Sequence, residues 1–236
     1  MPAGKLMKVP RKKVSARKKS SAVNKIKKDV KALKAALGQQ IGVHDTERDL
    51  STLSTSLLDY NPSVIGSLFA LGQGDADDNR EGNKIRALNF DMKGALSTTH
   101  IGDQFVRIIA VQWADAPGTS GDILKYDTAT LGVDGMAVIN SPYERQPAQP
   151  YKLLYDRVFK LSKVNDSVAA PATKRFRINV KLGKGKNKDG VEMTYAGTAV
   201  SNPILNGIRI FMAYGQVGTT SGAPQFQLKT RERFVK

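Results

Sequence analysis

The 236-residue chain contains no cysteine, two histidines and one tryptophan. The missing thiol excludes disulfides, thiolate zinc sites, iron–sulfur ligation and cysteine nucleophiles together. Only His44 and His100 could supply imidazole, so a multi-histidine metal site is excluded as well. Long apolar runs are absent. The longest is about five residues, Ile210-Phe211-Met212-Ala213-Tyr214, and others such as Ile108-Ile109-Ala110-Val111 have four, too short for a helix across a bilayer. The basic N-terminus has no apolar stretch behind it and does not read as a signal peptide. Aromatic residues are absent from the first 59 positions.

Basic residues are abundant. Lys and Arg number 37 against 21 Asp and Glu, a formal net charge of +16. The excess is concentrated at one end. Residues 1–36 carry 13 bases (Lys5, Lys8, Arg11, Lys12, Lys13, Arg17, Lys18, Lys19, Lys25, Lys27, Lys28, Lys31 and Lys34) and one acid, Asp29. That segment therefore holds +12 of the +16, and the other 200 residues, with 24 bases and 20 acids, hold +4. A nearly neutral body with a polycationic arm points to a polyanionic partner, because each neutralised phosphate releases condensed counterions.

The arm divides in two. Residues 1–21 are poor in hydrophobics and interrupted by Pro2 and Pro10, which predicts disorder. From residue 22 to 37, Val23, Ile26, Val30, Leu33 and Leu37 recur at spacings of 3 and 4, the mark of a helix with one apolar stripe. Gly38 then stops the helix, and a linker is expected to about residue 49. So narrow a stripe is marginal alone and calls for a partner, such as copies of itself.

Residues 39–82 are mixed and end in the turn-rich stretch 72–84. From there the period becomes alternating. Strands are predicted over Lys84–Leu96, Gln104–Trp113, Tyr151–Leu161, Lys174–Leu182, Val191–Ala196, Gly207–Tyr214 and Gln225–Val235. Leu88, Phe90, Met92 and Leu96 share one face of the first, and Leu153, Tyr155, Phe159 and Leu161 one face of the third. Gln104–Trp113 is apolar on both faces, as a central strand is. In Lys174–Leu182, Phe176, Ile178, Val180 and Leu182 alternate with Arg175, Arg177, Asn179 and Lys181. No helical pattern separates the strands, which argues against a βαβ fold and for an all-β sandwich or jelly roll.

At this point a family resemblance emerges. The basic arm is followed by Gln73, Gly74, Arg80, Gly82, Lys84 and Ile85 in the pattern Q-G-x-x-x-x-x-R-x-G-x-K-I. With FVRIIAVQW (105–113), YKLLYDRVFKL (151–161) and KRFRINVKL (174–182), this resembles the capsid proteins of small circular single-stranded DNA viruses over roughly residues 70–182. That family is similar in fold to the coat of satellite tobacco necrosis virus. The resemblance implies a single eight-stranded antiparallel jelly roll, here residues 50–236, behind an arm of residues 1–49. It also implies a small icosahedral T=1 shell of about sixty copies, a basic arm on the packaged genome, and assembly rather than catalysis.

The arm's 13 bases are the candidate nucleic-acid-binding residues. Lacking aromatics, the arm should read phosphates, DNA or RNA, and not bases. The paired RKK clusters at 11–13 and 17–19 also fit a nuclear-import signal, which with the virion gives two expected locations. An amphipathic basic helix could lie on an anionic membrane, but its stripe has no Trp or Phe, and no membrane partner is expected. A second cluster, Lys174, Arg175, Arg177, Lys181, Lys184, Lys186 and Lys188, reads as a shell interior, a polyanionic receptor site or a solvated strand face. Asp75, Asp77 and Asn79 match the first EF-hand offsets, but Arg80 and Arg86 occupy the required Gly and Glu positions. No cofactor or catalytic residue is expected, since neither histidine sits in a recognised motif. The alternative from another class is a non-viral nucleic-acid-binding module with a basic tail.

Overall fold

A computed structural model of the protein describes residues 24–30, 41–59, 68–115, 122–126, 135–144, 151–163, 171–183, 190–217 and 222–236. The chain forms two compact units, Met1–Gln40 and Ile41–Lys236. In the first, residues 24–30 are helical (α1), within the helix predicted over 22–37. The other residues of 1–40 lie outside the described residues.

The second unit is all-β with two antiparallel sheets. Its strands are β1 (Ile41–Thr52), β2 (Leu58–Asp59), β3 (Lys84–Thr98), β4 (Gly102–Trp113), β5 (Tyr151–Lys163), β6 (Ala172–Lys181), β7 (Val191–Thr194), β8 (Ile208–Gln216) and β9 (Gln225–Val235), with a short helix α2 (Met136–Ile139) before β5. One sheet runs β1-β9-β3-β6, with β7 beside β6 on the same edge of β3, and the other runs β2-β8-β4-β5. The pairing is nested. β4 pairs β5, β3 pairs β6, β2 pairs β8 and β1 pairs β9, so the chain folds as one long hairpin rolled across two layers.

All seven predicted strands are present, and the alternation in β6 holds, with Phe176, Ile178 and Leu182 buried and Arg175, Arg177, Asn179 and Lys181 exposed. Three expectations need correction. Residues 41–49, assigned above to a linker in the arm, form most of β1. Its inward side is Gly42, His44, Thr46 and Arg48, so the strand shows no apolar alternation. Leu88 is only half-buried, because a bulge between Ala87 and Asn89 moves the inward phase from Ile85 and Ala87 to Phe90, Met92 and Leu96. Leu153 is exposed for the same reason, a register shift opposite Ala110 and Val111 that turns Leu154 toward the core instead.

The main core lies between the sheets, built on Phe90, Met92, Ile108, Ile210, Phe226 and Phe234. A second cluster covers the outer side of β4 and β8. There Ile109, Val111, Trp113 and Phe211 pack against Ile123, Leu124 and Val138. This cover explains why β4 is apolar on both faces.

Candidate nucleic-acid interface

The predicted arm residues fall mostly beyond the described positions. Of the 13, Lys25, Lys27 and Lys28 lie on α1, exposed, as are Ile26 and Val30 of its apolar stripe. Lys5, Lys8, Arg11, Lys12, Lys13, Arg17, Lys18, Lys19, Lys31 and Lys34 lie outside the described residues, as do Lys184, Lys186 and Lys188 of the second cluster.

The body carries a second concentration of charge, on the outer face of the five-stranded sheet. Strand alternation sends every other side chain to that face. Across β1, β9, β3 and β6, one register row is Val43, Arg233, Asn89 and Lys181; the next is Asp45, Arg231, Asp91 and Asn179. The third is Glu47, Lys229, Lys93 and Arg177, beyond which Gln227, Ala95 and Arg175 align. At the other end Lys84 and Arg86 meet Thr194 and Glu192 of β7. The outward positions with a register partner thus hold nine bases (Lys84, Arg86, Lys93, Arg175, Arg177, Lys181, Lys229, Arg231 and Arg233) and four acids (Asp45, Glu47, Asp91 and Glu192). Subtracting them from the body's 24 bases and 20 acids leaves 15 and 16 elsewhere. The positive excess of the body is therefore the excess of this one face.

All four acids are paired. Arg231 forks onto Asp45 through Nε at 2.8 Å and Nη2 at 2.7 Å, and Arg177 forks onto Asp91. Lys229 reaches Glu47 at 2.9 Å and Lys84 reaches Glu192 at 2.7 Å. Hydrogen bonds from Arg231, Arg177 and Lys84 hold the carboxyls of Asp45, Asp91 and Glu192 below their ordinary values. Arg86, Lys93, Arg175, Lys181 and Arg233 form no ion pair among the described residues. The central rows border a shallow open cavity of about 550 Å³. Exposed ion pairs of this kind are worth about 1 kcal/mol or less, so a phosphate can exchange for the carboxylates.

Sequence reasoning found Arg175, Arg177 and Lys181 but missed Lys93, Lys229, Arg231 and Arg233. The alternation of Lys229, Arg231 and Arg233 with Leu228, Thr230 and Phe234 was available, but not the register that brings β9 against β3.

Within the turn-rich stretch 72–84, the acidic residues 75–81 are held from within by Arg80, which is fully buried. It donates to the carbonyls of Leu71, Gly82 and Gly197 and stacks 4.5 Å from the centre of the Tyr195 ring. Asp75, Asp77, Asp78 and Glu81 are exposed around it, and no group of three or more metal-ligating side chains occurs among the described residues. No described helix is long and apolar enough to cross a membrane. Neither the protein-family models nor the curated proteins compared with the chain match it.

Proposed function

We propose that the chain is a viral coat protein: a jelly-roll body that assembles into a small icosahedral shell and packages single-stranded nucleic acid through its basic arm. The observation that carries this reading is the partition of charge, +12 in residues 1–36 beside a body of +4. The nested pairing of eight strands across two sheets, with β7 as an addition beside β6, supports the jelly roll, an architecture common to viral capsids and lectins. A polycationic arm fits the capsid, which must neutralise a packaged strand. With about sixty copies in a closed shell, the arms supply roughly 700 positive charges, the scale of a genome of one to two thousand phosphates.

The chemistry is assembly, in which many copies of weak interfaces close under point symmetry, and arm charge offsets the self-repulsion of the packaged strand. Sedimentation of the purified chain, with absorbance at 260 and 280 nm and negative-stain microscopy, tests it. Uniform closed spheres with excess 260 nm absorbance are expected. A slow species of monomer size that binds nucleic acid without forming shells would replace the coat protein with a basic-tailed binding module.

A further inference from the structure

Lys93 stands opposite Lys229 on one side of β3 and opposite Arg177 on the other, three cations in one row of one sheet face. Like charges directly opposite each other destabilise a sheet. Glu47 and Asp91 offset two of the three, and Lys93 itself has no ion pair among the described residues. Arg175, Lys181 and Arg233, on neighbouring rows, likewise form no ion pair among the described residues. A free-standing surface gains nothing from such an arrangement, but a surface that meets a polyanion does.

We propose that this outer face, centred on the row Lys229, Lys93 and Arg177, is a second phosphate-binding surface for single-stranded nucleic acid; the identity of the polyanion rests on the packaging function proposed above. Three features favour a nucleic acid over another copy of the chain. The outward positions in the register rows include no aromatic and few apolar residues, whereas interface centres are rich in aromatics and poor in lysine. Alternate residues along a strand are about 6.7 Å apart, comparable to the distance between successive phosphates of an extended strand. Without an aromatic to stack on, the face reads backbone charge and not sequence, as the arm does. In a shell, this face would be the one turned toward the packaged strand.

The test uses the full chain and a fluorescein-labelled oligothymidylate, titrated over a range of salt concentrations. In one variant Lys93, Arg175, Lys181 and Arg233 are each changed to Gln. In a control of equal charge loss, Lys152, Arg157, Lys160 and Lys163 of β5 are changed to Gln. The first is expected to reduce the slope of log affinity against log salt by about 3, at about 0.7 per lost single-strand phosphate contact. The control should leave the slope near that of the unaltered chain. Equal slopes in all three proteins, or equal reductions in both variants, would overturn the proposal. So would a variant that loses assembly while keeping its slope, since the face would then be a contact between copies. Acetylation of Lys93 and Lys229 in the unaltered chain gives a readout independent of variant folding. Both should be protected by the oligonucleotide, and unchanged labelling would count against the face. Failure of the unaltered chain to bind the oligonucleotide at all would instead overturn the packaging function.

Discussion

The backbone N–H of Phe69 donates to a carboxylate oxygen of Glu232 at 2.7 Å, joining positions 163 apart in the chain. Glu232 faces inward from β9 and is almost wholly buried. The Thr230 hydroxyl donates to its other oxygen, and the Tyr195 hydroxyl donates to the Phe69 carbonyl at 2.7 Å. Phe69 itself adopts the left-handed backbone conformation, with φ 60°, so the loop before β3 is held by a carboxyl group and not by intrinsic preference.

Burial pushes the Glu232 carboxyl up to about 8 from its ordinary 4.5. Between those values the folded chain keeps a proton that the unfolded chain has released. Stability is therefore fully present below about pH 4.5 and declines as pH rises toward 8, by up to ~1.4 kcal/mol per unit. Glu232→Gln should flatten this decline and raise the melting temperature at pH 8 relative to the unaltered protein. Melting curves from pH 5 to 8.5 measure it; parallel profiles for the two proteins would refute the assignment.

Glu232 also shows where sequence legibility ends. In QFQLKTRERFV (225–235), Glu232 lies in phase with Phe226, Leu228, Thr230 and Phe234, yet it looks like any surface acid until a partner such as the Phe69 N–H is known. Buried Arg80 and Arg107 are illegible for the same reason. The seven strands could be read because their inward positions are apolar, and Gln225–Val235 matches to the residue. β1 could not, since Gly42, His44, Thr46 and Arg48 line its inward side, and β2 has only two residues. On the candidate site, the Arg175, Arg177 and Lys181 stripe follows from alternation within one strand. Its union with Lys93, Lys229 and Arg233 depends on pairings between strands far apart in sequence.

Arg107 fastens the segment around α2 to the outer side of β4. Its guanidinium forks onto Asp156, with Nε at 3.1 Å and Nη2 at 2.8 Å, and donates to the carbonyls of Val138, Ile139 and Ser141. The Tyr143 hydroxyl donates to the same carboxylate, and burial raises its pKa well above the ordinary tyrosine value. Lysine cannot reproduce a planar five-donor fork. Arg107→Lys should cost about 3 kcal/mol by leaving Asp156 and three carbonyls underpaired. The loss should be local first, seen as faster amide hydrogen exchange in residues 135–144 than in β9. Uniform exchange across both would show that Arg107 does not fasten this segment.

Gly94 lies on the inward side of β3, where the Phe176 ring crosses it. A Cβ there would sit 2.5 Å from the ring and 2.6 Å from the Gln227 carbonyl oxygen. Gly94→Ala must therefore displace Phe176 or part β3 from β9. About 2 kcal/mol is expected for overpacking of this kind, a fall in melting temperature of roughly 4–8 °C. Thermal unfolding followed by circular dichroism measures the fall, and an unchanged midpoint would mean that the ring yields without cost.

Removal of residues 1–36 separates the two roles assigned to charge. The compact β unit begins at Ile41, so the deletion cuts no strand of either sheet. Stability of the body should stay within about 0.5 kcal/mol, because every residue of its two hydrophobic clusters lies beyond position 36. The deletion removes +12 but leaves the nine bases of the sheet face untouched. If the arm is the main packaging element and the face a second one, truncated particles should carry a small residual load of nucleic acid that falls steeply with salt. Adding the four Gln substitutions on the face should abolish that residue. The ratio of absorbance at 260 and 280 nm, read on particles isolated at two salt concentrations, reports both steps. A full load in the truncated particles would remove the arm from packaging, and a residual load that the four substitutions leave intact would remove the sheet face.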